Sequence, residues 1–348
     1  MFKRFLFCTS DFKSGATVRI RTSNHFFIGC YKPALDIQSD PTKDLYFFGA
    51  DLHGLTDHDP REISPYREEV IHDLIALGVD PVVTSTSLYL QSDIEPQVTQ
   101  IANRLSPYVG VGRLARTPNL KEKMQPAIRS GEVKAGTGDE MALHANYGLL
   151  GYPVLMAADI FAQSATSVAV GEDQVPHLEI AREIAQKFNT RFDGDILVFP
   201  TILAVDSIRI LSLDGNGKMS KTNPEGAIIF TDDPELARAK IKKAVTGSAG
   251  DWSELLDSHF NVALSSTSDP EKIAEIIDIR TAHLQGTMAM KAFKEVWAEV
   301  TEKLLNDFQV RKAAISESDI RFARKISIGK VTANADKVLG KMKDVMTF

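Results

Sequence analysis

The feature that most constrains this chain is the alternation of short apolar runs with helical patterns over its first two-thirds. Leu45-Tyr46-Phe47-Phe48 is a buried run closed by Gly49. Tyr66, Val70, Ile71, Leu74 and Leu77 then recur at helical spacing, predicting a helix over 64–77. Ser64 suits its N-cap and Pro65 its first helical position, and Gly78 and Pro81 end it. Further strands are expected at 81–84, 166–170, 195–198 and 209–213. A long helix follows Gly171, with Val175, Leu178, Ala181, Ile184, Ala185 and Phe188 as its apolar positions. Strand–helix alternation of this kind predicts an α/β fold, a mainly parallel sheet covered on both faces.

After about residue 235 the strand signal fades. Asp233-Pro234 opens a helix, and helices are expected around 271–293, 293–308 and 336–345. The expected organisation is therefore an α/β domain over 1–234, a helical domain over 235–325, and a C-terminal helix within 326–348 that packs back on the first domain. A length of 348 residues accommodates two domains. With 43% hydrophobic and 25% charged residues, and a mean hydropathy of -0.11, disordered and collagen-like chains are excluded. No stretch approaches the ~20 apolar residues of a membrane span. The start, Met-Phe-Lys-Arg-Phe-Leu-Phe-Cys, lacks a secretory apolar core. Two cysteines, Cys8 and Cys30, make neither a disulfide framework nor a four-cysteine zinc site. A reducing, cytoplasmic setting is expected.

A net charge of -6 argues against a generic nucleic-acid coat. It averages two unlike parts. Residues 311–348 carry nine basic and four acidic side chains, a balance of +5, while the preceding part stands at -11. The basic tail is either a solvated helical face or a phosphate-backbone contact.

Three strings carry candidate chemistry. In Gly171-Glu172-Asp173-Gln174, a glycine after a β-branched strand permits close backbone approach. Asp173 is placed to accept from ribose hydroxyls beyond the carboxyl end of the sheet. Alternatively, Glu172 and Asp173 only favour the helix N-terminus. The string 214–222, Asp-Gly-Asn-Gly-Lys-Met-Ser-Lys-Thr, brings Lys218 and Lys221 onto a glycine-containing loop suited to a polyphosphate. It has neither Walker-loop nor calcium-loop spacing; an exposed polar turn is the plain alternative. In Tyr152-Pro-Val-Leu-Met156-Ala-Ala-Asp159-Ile160, a helix puts Tyr152, Met156, Asp159 and Ile160 on one face. An acid on an apolar face is costly unless a ligand N–H or O–H, or a nearby turn, pairs it.

Taken in order, these strings resemble the class I aminoacyl-tRNA synthetases, in particular the bacterial-type tryptophanyl branch. Supporting strings are Ala50-Asp51-Leu52-His53, Lys121-Glu122-Lys123, Arg209-Ile210-Leu211-Ser212-Leu213 and the closing Lys341-Met-Lys-Asp-Val-Met-Thr-Phe348. The resemblance covers essentially the whole chain. It implies a Rossmann-like catalytic domain, a helical anticodon-recognising domain and a homodimer. The implied reaction activates L-tryptophan with ATP and moves the tryptophanyl group to tRNA(Trp), with Mg²⁺ accompanying ATP and no dedicated protein metal site.

By the same resemblance, Asp159 binds the indole N–H, and Tyr152 and Gln174 hold the α-amino end. Met156, Ile160, Val168 and Val170 line the ring pocket. Met156 favours tryptophan, since the tyrosyl relatives usually carry Gln there. Gly171, Glu172 and Asp173 belong to the ATP site with Ile210 and with Lys218, Met219, Ser220, Lys221 and Thr222. The catalytic cations are Lys218 and Lys221.

The first ATP string departs from the family. Its counterpart is Arg19-Ile-Arg21-Thr22-Ser23-Asn-His25-Phe-Phe27-Ile-Gly29-Cys30-Tyr31. Arg21, Thr22, Ser23, Gly29 and Cys30 are its expected ATP contacts. Phe27 stands at the family's His position and Cys30 at its Asn position. A phenyl ring offers no donor to a phosphate oxygen. Two readings follow: an active ligase with a rebuilt phosphate site, or a paralogue that binds tryptophan or its adenylate with impaired ATP chemistry.

Overall fold

The computed structural model describes residues 3–9, 35, 38, 40, 42–56, 59–63, 66–82, 85–130, 144–169, 174–203, 210–217, 219, 223–287 and 289–347. Its centre is a five-stranded, wholly parallel sheet. The strands are β1 (Lys3–Thr9), β2 (Lys43–Gly49), β3 (Thr86–Leu90), β4 (Ser167–Ala169) and β5 (Thr201–Leu203), in the order β3-β2-β1-β4-β5. The helices used below are α1 (Arg67–Ala76), α2 (Glu95–Leu105), α3 (Tyr147–Ala162), α4 (Val175–Arg191), α5 (Pro234–Lys243), α6 (Glu254–Ser265), α7 (Pro270–Leu284), α8 (Met290–Ala314) and α9 (Glu317–Met346).

The period of two along the strands builds both faces. Leu45, Phe47, Leu88 and Leu90 enter one core with α1 and the helices after residue 233. Tyr46, Phe48, Tyr89 and Val168 enter a second core with α2, α3 and α4. Continuous burial along β2 and β3 is what a sheet covered on both faces requires. The strand order reverses between β1 and β4. In an open α/β sheet the crevice beyond the carboxyl ends at such a switch is where ligands bind. The string 171–174 follows β4 directly, and the string 19–31 follows β1.

The helix starts obey local chemistry. Asp233 caps α5 by accepting from Glu235 N–H at 2.8 Å. Asn146 caps α3 through Leu149 N–H at 2.7 Å. Ser316 and Asp319 form a reciprocal capping box on α9. The helix predicted over 64–77 is α1; its expected cap Ser64 and its Pro65 lie outside the described residues.

Several expected elements differ. Residues 81–82 form a turn, with Val82 N–H donating to the Asp80 carboxylate at 2.8 Å, and the strand follows at Thr86–Leu90. The strand expected at 195–198 is a loop. The Asn189 side chain accepts from Ile196 and Leu197 N–H and donates to Leu197 C=O, so these groups need no sheet partner. In the segment 209–213, Leu211 makes only an isolated bridge. The helix expected over 271–293 ends at Leu284, where Gly286 takes φ +87° and its N–H returns to His283 C=O. The expected helix 336–345 is the last part of α9, which spans 30 residues.

Helix α9 lies along the sheet edge. Strand β3 is a terminal strand, and Ser327 Oγ accepts from its Leu88 N–H at 2.9 Å. Lys330 meets Asp44 at 2.9 Å and stands over the Tyr46 ring, while Asn334 donates to Tyr46 Oη at 3.0 Å. A covered edge removes a template for pairing with another chain.

Candidate active site

The candidate site gathers at the carboxyl ends of the strands. Helix α3 presents Tyr152, Met156, Asp159 and Ile160, as the helical spacing predicts. Ile160 is fully buried and packs with Val168 of β4; Met156 is partly buried against the same core. Asp159 is 3% exposed. Gln91, fully buried in the turn after β3, donates its side-chain amide to both Asp159 oxygens at 2.9 Å each. The Gln91 side-chain oxygen accepts from His53 N–H at 3.3 Å and lies 3.2 Å from His53 Nδ1. His53 Nδ1 is also 3.8 Å from Asp159 Oδ2.

Burial pushes the Asp159 carboxyl well above the ordinary carboxylate range. The Gln91 amide opposes that rise, and the nearby Asp51 charge adds to it. Among the described residues the basic group paired with Asp159 is His53, and the acid has acceptor capacity beyond the single Gln91 amide.

Beside it runs a second polar chain. Tyr152 Oη is 2.6 Å from His177 Nε2, and His177 Nδ1 is 3.0 Å from Gln174 Oε1. The Tyr152 ring also meets His53 edge-on at 6.3 Å. The structure thus brings Tyr152, Met156, Asp159, Ile160, Val168 and Gln174 to one region. It adds Gln91, His53 and His177. His53 stands in a string that supports the family resemblance, without a role of its own. Gln91 carries no motif, but a polar residue directly after a fully buried parallel strand marks the ligand end of the sheet. His177 lies three residues after Gln174, one helical turn away.

The lysine loop is visible at its base. Gly215 and Gly217 take φ of +76° and +81°, conformations that disfavour residues with a Cβ. Ser212 N–H donates to Gly217 C=O, and Met219 N–H to Ile210 C=O. Asn223 bridges Ser212 Oγ and the Asp214 carboxylate, at 3.2 and 2.9 Å. The Ser212 hydroxyl, then Asn216 N–H and the Asn223 amide, hold the Asp214 carboxyl far below its usual range. A Cβ on Gly226 would displace the Ser212 hydroxyl and the Asn223 amide, the pair that holds Asp214. Leu211 N–H donates to Ser258 Oγ of α6 at 2.8 Å, which ties the loop base to the helical region. Ile210 and Met219 are buried in the core beneath the loop.

Of the expected ATP and catalytic residues, Arg21, Thr22, Ser23, Phe27, Gly29, Cys30, Gly171, Glu172, Asp173, Lys218, Ser220, Lys221 and Thr222 lie outside the described residues, as does Val170 of the ring pocket. Among the described residues no group of three or more His, Cys, Asp or Glu side chains is placed to hold a metal ion.

Residues 28–323 match the family described as tRNA synthetases class I (W and Y). The chain belongs to this class I synthetase family. The tryptophan–tRNA ligase of Treponema pallidum is 30% identical over 329 residues, covering 92% of this chain and 91% of that protein. That of Chlamydia caviae is 31% identical over 303 residues, covering 83% and 81%. The fold of this family member also matches solved structures. Tryptophanyl-tRNA synthetase from Mycoplasma pneumoniae superposes with a TM-score of 0.81 at 24% identity, covering 100% of this chain and 98% of that one. The Campylobacter jejuni enzyme, solved with ADP and tryptophan, gives 0.73 at 22% identity over 99% and 100%. These likenesses show a Rossmann-like α/β fold with a helical C-terminal region for this synthetase-family chain.

Proposed function

We propose that the chain is a tryptophan–tRNA ligase. The observation that carries the reading is the buried Asp159 in an apolar wall of Met156, Ile160 and Val168, joined to its curated relatives' common name. An indole is apolar except for one N–H. Asp159, whose neighbouring Gln91 amide is already committed to it, offers that N–H a buried acceptor, whereas a phenol also needs a donor for its oxygen.

In the first step a tryptophan carboxylate oxygen attacks the α-phosphorus of ATP and pyrophosphate leaves. In the second, a terminal ribose hydroxyl of tRNA(Trp) attacks the acyl carbonyl and AMP leaves. Asp159 accepts the indole N–H. The Tyr152–His177–Gln174 chain faces the α-amino group, and Val170 completes the ring pocket. Gly171, Glu172 and Asp173 meet the ribose, Ile210 the adenine, and Arg21, Thr22, Ser23, Gly29 and Cys30 the phosphate side. Lys218 and Lys221, with Met219, Ser220 and Thr222, supply the cations that stabilise charge on the leaving pyrophosphate. The glycine-hinged base of their loop and its tie to Ser258 fit this role. Mg²⁺ arrives bound to the ATP phosphates. The proposed organisation keeps 1–234 as the catalytic domain, 235–325 as the anticodon domain and 326–348 as a returning helix. The protein works as a homodimer in the cytoplasm.

The altered first string favours a second reading, a paralogue with tryptophan binding and impaired ATP chemistry. Loss of one transition-state donor costs about 10²–10³ in rate. Amino-acid-dependent ATP–pyrophosphate exchange separates the two. The ligase reading predicts exchange with tryptophan and not tyrosine, raised by Phe27→His. Tryptophan binding by calorimetry without exchange selects the paralogue. No binding of tryptophan rejects both.

A further inference from the structure

Gln91 belongs to no motif, yet it is the most committed polar side chain near the site. It is fully buried, and all its hydrogen-bonding atoms point at two groups. Its Nε2 donates to both Asp159 oxygens at 2.9 Å, and its Oε1 faces His53 N–H and Nδ1 at 3.3 and 3.2 Å. Two equal contacts from one nitrogen engage both carboxylate oxygens at once, and the His53 contacts hold the amide that makes them.

The turn that carries Gln91 is itself clamped. Asp93 accepts from Leu90 N–H at 2.8 Å and from Arg324 of α9 at 2.5 Å. Ser92 N–H donates to Asp51 at 3.0 Å, and Arg67 pairs with Asp51 at 2.7 Å. Gln91 therefore reaches Asp159 from a rigid support, the condition for a group that sets another's geometry.

We propose that Gln91 is the positioning residue that makes this site selective for an aromatic ring bearing an N–H donor. Its amide holds the Asp159 carboxylate in place as an acceptor, and the lone pairs it does not use remain for the ring N–H. The charged and titratable groups around the pair are His53 and Asp51 on the segment after β2, with Tyr152 and His177 on α3 and α4. The opposing pulls on Asp159 agree with this role: burial favours the neutral acid, and the Gln91 amide favours the acceptor carboxylate. The inference rests on the proposed tryptophan site.

The test uses the full chain and two probes, L-tryptophan and its benzothienyl analogue, in which sulfur replaces the ring N–H. Binding of each is measured by calorimetry. A site built on a hydrogen bond rejects an analogue that lacks the donor, so the unaltered chain should prefer tryptophan by at least about 100-fold. Gln91→Met keeps length and apolar volume and removes the amide. It should reduce the preference to below about 10-fold, with tryptophan weakened and the analogue changed by less than about threefold. If Gln91→Met weakens both probes alike, or keeps the full preference, the inference is overturned. Should that variant fail to fold, Gln91→Glu preserves the shape and sets two acids face to face. Tryptophan binding by Gln91→Glu should fall as pH rises from 5.5 to 8 and recover on acidification, since the facing acids then share a proton. A pH profile matching that of the unaltered chain overturns the inference. Failure of the unaltered chain to bind tryptophan at all overturns the proposed function as well, and so is distinguished from failure of the Gln91 role alone.

Discussion

Asp159, an acid at helical spacing with Tyr152, Met156 and Ile160 on an apolar face, demands a partner. Gln91 lies 68 positions away on another element, and only the sheet brings the two together. His259 is a second buried titratable group, and the motifs gave no reason to single it out. It lies on α6, fully buried, with its ring 4.9 Å from that of Trp297. Burial pushes it down to about 4, against the backbone of Ser212, which favours the charged ring. Its folded value is below the ordinary 6.5, so the unfolded chain binds a proton first. The stability it allows is complete above pH 6.5 and is lost as pH falls through about 4. Between pH 7 and 4 this one group accounts for a loss of about 3 kcal/mol. Urea midpoints at pH 7 and 4.5 measure it, and His259→Leu should reduce the difference between them. An undiminished difference would show that another group drives the acid sensitivity.

At the scale of elements, pattern and structure agree where a segment is decided by burial. Strand β2, helix α3 and helix α4 carry unbroken periodicity and appear where it places them. They part where a distant side chain satisfies the backbone. The apolar run 195–198 reads as a strand, but Asn189 supplies the hydrogen bonds a neighbour strand would have given, and β5 begins only at Thr201. No local propensity encodes that competition. Asn189→Ala removes one donated and two accepted hydrogen bonds from a nearly buried bracket. It should cost about 2–3 kcal/mol, read from the urea midpoint. A cost below about 0.5 kcal/mol would mean the loop holds its shape without the bracket. Helix α9 teaches the same lesson in the other direction. Its polar surface hides the docking role, yet Ser327 and Asn334 are polar because they meet the edge of the sheet and Tyr46.

Across the whole molecule, the charge division takes on a structural meaning. In sequence the basic tail reads either as a solvated helical face or as a phosphate-backbone contact. In the structure, Lys312 meets Asp73, Arg324 meets Asp93 and Glu68, and Lys330 meets Asp44. A share of the positive tail is thus matched to the acidic body and docks α9 along it. The parallel order β3-β2-β1-β4-β5 reverses between β1 and β4, and the buried acid and its glutamine lie at the carboxyl ends of the strands. That this site charges tRNA with tryptophan is tested most directly by the transfer itself. Purified protein incubated with ATP, Mg²⁺, radiolabelled amino acid and tRNA(Trp) should yield acid-precipitable tryptophanyl-tRNA and none with tyrosine. Absence of tryptophanyl-tRNA under conditions where a known tryptophan–tRNA ligase charges the same tRNA would contradict the account.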